Sequence, residues 1–315
     1  MITTVTLNPA IDREYFLKED VLKTDEYLYD EQDIRVLPGG KGLITAIDLK
    51  ILGYSDVQNI GFVGGKQGPY FERMVQDYKI TTNYIYTEDE IRNNIFIISK
   101  DLETFTRYSD YTYEINKKDV ETLLRRFKRA IVDSDLIIIA GSIPKGVDFD
   151  IYQRMVRACN ELGKDVFLQA SGDALNLALK EKPKVVNPYF KHTRKILDRE
   201  VIEFEDFISM GRRLLEEGAQ SVVIPYNTDR LLFVEDKVYS SSTKDFRLIN
   251  WLGAGDAYMA GFYDYVAREG FDFIEANRYA EAALLTVAEN RSIYIESRDL
   301  VEKNLKRIVV KKLEV

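Results

Sequence analysis

Hydrophobic positions follow two alternating patterns along most of the chain. Short runs of continuous apolar residues alternate with longer segments in which apolar residues recur every three or four positions. The first pattern is typical of buried β-strands and the second of amphipathic helices. The predicted strands are TTVTLNPAI (3 to 11), VQNIGFVGG (57 to 65), DLIIIAG (135 to 141), KDVFLQASG (164 to 172), PKVVN (183 to 187) and SVVIPY (221 to 226), and the helices between them include VETLLRRFKRAIVDSD (120 to 135), IYQRMVRACNELG (151 to 163) and FEDFISMGRRLLEEG (204 to 218). Continuous apolar strands require helices on both faces of their sheet, so the sequence predicts an α/β fold with three layers around a mostly parallel sheet.

Two regions interrupt this rhythm. Residues 12–36 and 84–112 alternate apolar and polar positions and are rich in tyrosine. Alternation with a period of two is typical of half-exposed antiparallel strands, so these regions are predicted to form a small β-sheet lid. The remaining residues, 1–11, 37–83 and 113–315, are assigned to the α/β core. Because such a lid has a long exposed edge and an apolar face, we expect a homodimer formed through it.

Composition and charge exclude several classes of function. The chain has 315 residues, of which 45% are hydrophobic and 30% charged, and its formal net charge is -8. It lacks a basic run interleaved with aromatic residues, so a nucleic-acid partner is disfavoured. One cysteine and one histidine cannot supply a zinc site. No segment approaches the ~20 apolar residues of a membrane span or has the pattern of a signal peptide. We therefore expect a cytoplasmic enzyme or binding protein without a membrane partner, in which an anionic ligand would need a locally basic pocket.

Candidate chemistry lies in loops that follow strands. Ligands of open α/β sheets bind beyond the carboxyl ends of the strands, so these loops matter most. Four of them carry unusual residues: TLNPAID (6 to 12), PGGKG (38 to 42), AGSIPKG (140 to 146) and GAGD (253 to 256).

The PGGKG loop is a weak signal when taken alone. Its glycines allow the backbone to approach a ligand closely, and Lys41 offers a positive charge to an anion. It lacks the spacing of a phosphate-binding Walker loop. The simpler interpretation is a turn before the helix LITAIDLKILG (43 to 53).

The GAGD loop is a stronger signal because AYMAGFYDYVAREG (257 to 270), which follows it, has the pattern of a helix packed on the sheet. Gly253, Ala254 and Gly255 would leave backbone N–H groups unpaired at the first turn of that helix. Such groups, together with the helix dipole, bind phosphate oxygens. A carboxylate there, Asp256, would repel phosphate unless its task is to take a proton from an attacking hydroxyl. Helix capping by Asp256 is the simpler alternative, but it would not explain both glycines.

The four loops, in this order and at these separations, resemble the ribokinase-like carbohydrate kinases of the phosphofructokinase B family, over essentially the whole chain. Within that family, TVTLNPAID and LPGGKG are most similar to 1-phosphofructokinases and tagatose-6-phosphate kinases. The resemblance implies a ribokinase-like three-layer sandwich with a β-sheet lid. It also implies a kinase that uses ATP and Mg²⁺ to phosphorylate a sugar phosphate.

The resemblance also implies roles for individual residues. Asp256 would be the general base, and Gly253, Ala254 and Gly255 would form the anion hole. The residues implied to contact the sugar phosphate are Asp12, Gly39, Gly40, Lys41, Arg92 and Asn94 of IRNN, Arg107 of TFTRYS, and Ser142. The residues at the implied nucleotide positions are Asn187, Asn227, Trp251, Gly253 and Gly255. No residue is assigned as a metal ligand.

Several departures from the family pattern cluster on the nucleotide side. GKGLI has Ile44 where the family has an asparagine, and QASG has Gln169 where the family has an aspartate. NPYFK places Lys191 where the family's KPNxxE has a glutamate. IPYNTDR (224 to 230) lacks both glycines of the family's SxGxxG loop, and RYAEAALLTVAEN (278 to 290) lacks a glycine that commonly lets adenine approach. Trp251 replaces a common threonine, and its ring either stacks on a base or fills the pocket of one.

Two hypotheses about function follow. In the first, the protein is an ATP-dependent sugar-phosphate kinase with an altered nucleotide pocket, because Gly253, Gly255 and Asp256 are retained. In the second, it is a catalytically impaired relative that binds a sugar phosphate or nucleotide as a sensor or partner protein, because the KPNxxE and SxGxxG motifs are lost. The first is preferred, since a general base has little value to a protein that only binds.

Overall fold

A large twisted sheet organises the molecule. The computed structural model describes residues 1–17, 30–99, 105–110, 113–189, 195–196 and 199–315. The strands are β1 (Ile2–Thr6), β2 (Ala10–Phe16), β3 (Ile34–Gly39), β4 (Val57–Gly64), β5 (Thr81–Thr87), β6 (Arg92–Ile98), β7 (Phe105–Ser109), β8 (Leu136–Ala140), β9 (Val166–Gln169), β10 (Val185–Val186), β11 (Lys195–Ile196), β12 (Arg199–Glu200), β13 (Ser221–Tyr226), β14 (Asp229–Val234), β15 (Lys237–Thr243) and β16 (Ile308–Leu313). The helices are α1 (Lys41–Ile51), α2 (Gly68–Asp77), α3 (Lys117–Ala130), α4 (Ile151–Asn160), α5 (Gly172–Leu179), α6 (Phe204–Glu216), α7 (Ala254–Glu269), α8 (Phe273–Ala288) and α9 (Arg298–Asn304).

Within the described residues the large sheet has ten strands, in the order β16-β15-β14-β13-β10-β9-β8-β1-β4-β5. The strands from β10 to β5 pair in parallel, which confirms the mostly parallel sheet. The strands from β13 to β16 pair antiparallel. The sequence analysis predicted β13 as a strand, but it predicted neither the three strands that follow nor their antiparallel pairing.

Helices cover both faces of this sheet, which confirms the three-layer fold. The chain moves one way across the sheet from β1 to β4 and the opposite way from β8 to β9. Right-handed crossovers therefore place the intervening helices, α1 and α4, on opposite faces. Helix α7 packs between α1 and α8 on one side, and α4 packs between α3 and α5 on the other. None of the helices in the described ranges has the combination of length and hydropathy needed to cross a bilayer.

A second, four-stranded sheet has the order β3-β2-β6-β7. Its outer pairs are antiparallel, as predicted, but its central strands β2 and β6 pair in parallel. The predicted single strand at residues 3–11 is wrong. The structure contains two strands there, because Pro9 has no N–H to continue the ladder and β2 crosses into the small sheet.

Strand pairing shows which sheet holds the residues next to the predicted boundaries between core and lid. Residues 84–87 lie in β5 of the large sheet, since they pair with β4, and residues 10–11 and 37–39 lie in the small sheet. Parts of the predicted lid, residues 18–29, 100–104 and 111–112, fall outside the described residues. The division of the chain into core and lid remains a proposal.

Candidate active site

A cavity of about 620 Å³ lies between the small sheet and the carboxyl edge of the large sheet. It is lined by the end of β1, the loop after β8, the starts of α1 and α7, and one face of the small sheet. Its lining residues are Thr6, Asn8, Asp12, Glu14, Gly40, Lys41, Ile44, Arg92, Asn94, Phe96, Arg107, Ala140, Gly141, Ser142, Tyr189, Trp251, Leu252, Gly253, Asp256 and Ile293. The cavity therefore brings together residues from all four loops singled out in the sequence.

The GAGD loop forms a tight turn into α7. Gly253 has a positive φ of 79°, and a Cβ there would lie 2.0 Å from the carbonyl oxygen of Ile293, so only glycine fits. The amides of Gly253 and Gly255 donate no hydrogen bond to any described residue, whereas Ala254 N donates to Trp251 O. A Cβ on Gly255 would meet open space. The turn therefore presents free amides at the first turn of a 16-residue helix, which is the geometry of an anion site.

Asp256 lies in the first turn of α7 and is only 5% exposed. Burial raises the pKa of its carboxyl group above the ordinary value, and the charge of Lys41 opposes that rise. Lys41 Nζ lies 3.4 Å from Asp256 Oδ1. A carboxylate with a raised pKa beside a free-amide turn is suited to accept a proton.

Lys41 begins α1, and its ammonium group lies between two partners. Besides Asp256, it is 5.5 Å from the centre of the Tyr189 ring. The side chain of Lys41 keeps 35% of its surface exposed. Its ammonium group can therefore reach an anion in the cavity from its place beside Asp256.

Asp12 and Asn94 occupy paired positions on β2 and β6. Asn94 Nδ2 donates a hydrogen bond of 2.6 Å to Asp12 Oδ1. Burial raises the pKa of Asp12 to about 7, and the hydrogen bond from Asn94 counteracts that rise. A Cβ on Gly39 would lie 2.0 Å from Asp12 Oδ2, so glycine at this position makes room for the carboxyl group.

Arg92 is held in place by neighbouring polar groups. Its Nη1 donates to Asn94 Oδ1 at 3.0 Å, and its Nη2 donates to the carbonyl oxygen of Asn8 at 3.1 Å. Burial lowers its pKa, and the carboxyl group of Asp12 opposes that change. Arg107, on the exposed strand β7, lines the same cavity. The two arginines and Lys41 thus give this cavity of an acidic chain three cationic side chains.

Asn8 connects two sides of the cavity and was missed by the sequence analysis. Its Nδ2 donates to Ser142 Oγ at 3.1 Å, while its carbonyl oxygen accepts from Arg92. Its position inside the TLNPAID loop was the available signal. Glu14 was also missed, although it shares the inner face of β2 with Asp12, two residues away.

The side chain of Asn250 supports the GAGD loop through three hydrogen bonds. Asn250 Nδ2 donates to the carbonyl oxygens of Leu252, at 3.3 Å, and Ser292, at 3.1 Å. Asn250 Oδ1 accepts from Leu252 N at 2.9 Å. Farther along, Ile295 N donates to the buried carboxyl group of Asp48 at 2.8 Å. Residues 288–295, which we call the brace, are thereby fastened both to the loop and to α1.

The residues predicted at nucleotide positions do not gather at one place. Asn187 is committed internally, because its Oδ1 accepts from Gln169 and its Nδ2 donates to Val223 O. Asn227 has a positive φ of 52° in the turn between β13 and β14, where Asn is favoured for conformational reasons. Neither residue lines the cavity, whereas Trp251 and Gly253 do. Lys191 lies outside the described residues.

Comparison with known proteins supports a single family. The profile described as "pfkB family carbohydrate kinase" matches residues 5–297. A 1-phosphofructokinase of Bacillus subtilis (strain 168) is 28% identical over 271 residues, which cover 85% of this chain and 86% of that protein. A solved structure from Thermotoga maritima, described as a possible 1-phosphofructokinase, superposes with a TM-score of 0.93 at 30% identity and covers 99% of both chains. The phosphofructokinase-2 of Escherichia coli, solved with substrates and products, has a TM-score of 0.84 at 21% identity and covers 97% of this chain and 98% of that one, which shows a shared fold.

Proposed function

The chain belongs to the pfkB family of carbohydrate kinases and is a sugar kinase similar to 1-phosphofructokinases, and from this premise we propose its reaction. The protein transfers the γ-phosphate of ATP to a hydroxyl of a sugar phosphate of the fructose 1-phosphate or tagatose 6-phosphate type. Asp256 is the general base, and the GAGD loop is the anion hole.

The observation that carries this proposal is the position of Asp256 beside the free amides of Gly253 and Gly255. The carboxylate takes the proton of the attacking hydroxyl as the new oxygen–phosphorus bond forms. The two amides and the N-terminal end of the α7 dipole stabilise the charge on the transferring phosphoryl group. Lys41, next to Asp256, favours the ionised form of that carboxyl group and contributes positive charge.

The opposite side of the cavity supports a sugar phosphate as acceptor. Asp12 and Asn94 present polar atoms for sugar hydroxyls. Arg92 and Arg107 supply guanidinium groups, which bind phosphate through charge-assisted hydrogen bonds. Ile44 lines the cavity where an asparagine is usual in the family, so the chain makes an apolar contact at that position.

Magnesium would accompany the ATP. Among the described residues, no three or more His, Cys, Asp or Glu side chains are grouped to hold a metal ion. Mg²⁺ commonly keeps several waters and binds substrate phosphates with only one or two carboxylates, which fits a cavity whose carboxylates are Asp12, Glu14 and Asp256. Bound there, the ion would neutralise charge on the β- and γ-phosphates.

The proposal also names the molecules that this protein binds. The sugar phosphate and ATP are the small-molecule partners, and a second copy of the chain binds through the lid. We place the enzyme in the cytoplasm, together with ATP and the sugar phosphate.

The test is phosphoryl transfer by the purified protein and by Asp256→Asn. ADP release is measured with ATP, Mg²⁺ and each of fructose 1-phosphate, tagatose 6-phosphate and fructose 6-phosphate. Loss of the general base is expected to lower kcat/KM by roughly 10²- to 10⁴-fold. The variant should still bind the sugar phosphate, because Asp12, Asn94 and the arginines are unchanged.

Asp264→Asn is the matched control, since Asp264 lies on the same helix two turns farther on and is paired with Arg298 instead. Its effect should appear in thermal stability and leave the acceptor preference unaltered. If wild type and Asp256→Asn turn over equally slowly while binding the sugar phosphate equally well, the protein is a sensor or partner protein and the kinase proposal is wrong.

A further inference from the structure

An aromatic ring faces Lys41 inside the cavity, and the proposed reaction gives this ring no task. Tyr189 follows β10 at the carboxyl edge of the large sheet and lines the cavity together with Lys41 and Asp256. Lys41 Nζ lies 5.5 Å from the centre of the Tyr189 ring and 3.4 Å from Asp256 Oδ1. The ammonium group therefore lies against an aromatic face and a carboxyl group at the same time.

The backbone that carries Tyr189 is fixed by the strands beside it. The side chain of Asn187 accepts a hydrogen bond from Gln169 Nε2 at 3.0 Å and donates to Val223 O at 2.9 Å. Two residues farther on, Tyr189 N donates to Ala170 O at 3.3 Å. Asn187 does not line the cavity, but it anchors the turn from which the Tyr189 ring projects into it.

The hydroxyl end of the Tyr189 side chain is also tied to the protein. It shares a hydrogen bond with the side chain of Ser171, the residue that precedes α5. Burial raises the pKa of Tyr189, while the hydrogen bond with Ser171 and the charge of Lys41 oppose that rise. The phenol is therefore neutral near pH 7, so this ring adds no negative charge to a cavity that receives phosphate.

An aromatic face is an unusual neighbour for an ammonium group that has to bind phosphate. It attracts the cation through its quadrupole but carries no oxygen that would occupy the N–H donors. The distance of 3.4 Å to Asp256 is longer than the about 2.7–2.9 Å of a strong charge-assisted hydrogen bond. The N–H groups of Lys41 thus remain available to phosphate oxygens, while the ring limits where the flexible four-carbon stem can place them.

We propose that Tyr189 is a positioning residue for phosphoryl transfer, which acts by holding the ammonium group of Lys41 beside Asp256. Lys41 comes from the first turn of α1, and the free amides of Gly253 and Gly255 come from the first turn of α7. The transferring group then meets the amides and an ammonium group that is already in place. This inference rests on the proposed function, because it assumes that transfer takes place beside Asp256.

The experiment changes the electron density of the ring with little change in its size. Phenylalanines that carry one, two or three fluorine atoms are incorporated at position 189 of the full-length protein, and ADP release is measured with ATP, Mg²⁺ and the preferred sugar phosphate. Fluorine withdraws density from the ring face, so kcat should fall with each added atom.

Two ordinary substitutions at the same position set the scale of the effect. Tyr189→Leu removes the ring and should lower kcat about three- to tenfold, with little change in KM for the sugar phosphate. Tyr189→Phe should recover most of that loss, because it keeps the aromatic face and lacks only the hydroxyl. A purely structural role of the ring would instead appear as lost thermal stability with no dependence of kcat on fluorine number.

A second background tests whether the ring acts through Lys41. In Lys41→Met, assayed with proportionally more enzyme, Tyr189→Leu should cause little further loss of kcat, since residues that act through one contact are not additive. Tyr54→Leu is the structural control. Tyr54 is partly buried, donates to Asp264 O at 3.2 Å and does not line the cavity, so its loss should lower the melting temperature without a selective loss of kcat.

The outcomes separate this inference from the proposed function. If kcat is the same across the fluorinated series, or if Tyr189→Leu costs the same factor with and without Lys41, Tyr189 does not position the ammonium group and this inference is wrong. A loss of activity in Asp256→Asn under those conditions leaves the proposed function standing. If wild type transfers no phosphoryl group to any of the sugar phosphates, both fail together.

Discussion

At the residue scale, two buried carboxyl groups in one cavity are given different chemistry by their neighbours. Asp256 faces the ammonium group of Lys41, which opposes the effect of burial on its pKa. Asp12 faces the neutral amide of Asn94, and burial raises its pKa to about 7. Burial raises the pKa of both carboxyl groups, so their positions decide the proposed roles. Asp256 lies beside the free amides of the GAGD loop and is proposed to accept the proton, whereas Asp12 is proposed to bind a sugar hydroxyl.

The raised pKa of Asp12 predicts a specific pH dependence. Its folded-state pKa lies above the ordinary 3.8, so its contribution to stability is fully present below pH 3.8 and is lost as the pH rises through about 7. Between pH 5 and pH 8, the free energy of unfolding of wild type should therefore fall relative to that of Asp12→Asn, by ~3 kcal/mol at most. Urea unfolding at both pH values measures this difference.

The same titration should appear in substrate binding. An ionised Asp12 accepts hydrogen bonds from sugar hydroxyls, so KM for the sugar phosphate should decrease as the pH rises through 7 in wild type. In Asp12→Asn the KM should be higher and nearly independent of pH over that range. A variant that keeps the wild-type pH profile would show that another group is responsible.

At the element scale, the first turn of α7 depends on a segment that holds no proposed catalytic residue, although its Ile293 lines the cavity. The brace, residues 288–295, accepts hydrogen bonds from the backbone of Ile249 and Asn250 and from the Asn250 side chain. Gly253 packs against its carbonyl oxygen at Ile293. Because two free amides must keep their spacing to stabilise a transition state, this fixed support bears directly on catalysis.

Asn250→Ala tests the importance of the brace. The substitution removes three hydrogen bonds of the Asn250 side chain, two with the backbone of Leu252 and one with the carbonyl oxygen of Ser292. We expect kcat to fall about tenfold with little change in KM for the sugar phosphate, because the amides would lose their alignment while the acceptor site is untouched. Steady-state kinetics with the preferred sugar phosphate measure both constants.

Asn290→Ala is the matched control in the same segment. The side chain of Asn290 donates to Thr286 O within the end of α8 rather than to the loop. Its removal should lower the melting temperature without a selective loss of kcat. Equal losses of kcat in both variants would indicate a general weakening of the region instead of a defined support.

At the scale of the whole molecule, the small sheet has two faces with different tasks. One face lines the cavity. On the other, alternation along the strands places Arg13 and Thr106 together with the larger apolar set Tyr15, Ile34, Val36, Ile95, Ile97 and Tyr108. Ile95 and Tyr108 are cross-strand partners that are 37% and 63% exposed. An apolar sheet face of this kind is suited to the self-complementary interface of a twofold dimer.

Ile95→Lys combined with Tyr108→Lys should therefore shift the protein from dimer to monomer. Two charges at adjacent positions would have to be desolvated in the proposed interface. Analytical ultracentrifugation of wild type and variant gives the oligomeric state. Tyr70→Lys, at a 49% exposed tyrosine on α2, is the control and should leave the state unchanged. A wild-type protein that sediments as a monomer at micromolar concentration contradicts the proposed dimer.

Much of the fold followed from local patterns in the sequence. The periods of apolar residues in segments such as 120–130 and 136–140 reflect how a helix or strand places its own side chains, so they are visible without any tertiary contact. Loops after strands converge at one edge of a parallel sheet, and each of the four loops singled out contributes residues to one cavity.

What the sequence by itself determined is therefore the α/β class, the three layers and the edge at which the chemistry gathers, because each depends on local periodicity or on chain order. Only the tertiary structure decided the pairing of Asp12 with Asn94, 82 residues apart, the part played by Asn8, the support of Gly253 by Ile293 and the contact of Lys41 with the Tyr189 ring. These features depend on how separate segments meet, and distances between residues far apart in a chain leave no periodic trace in its sequence.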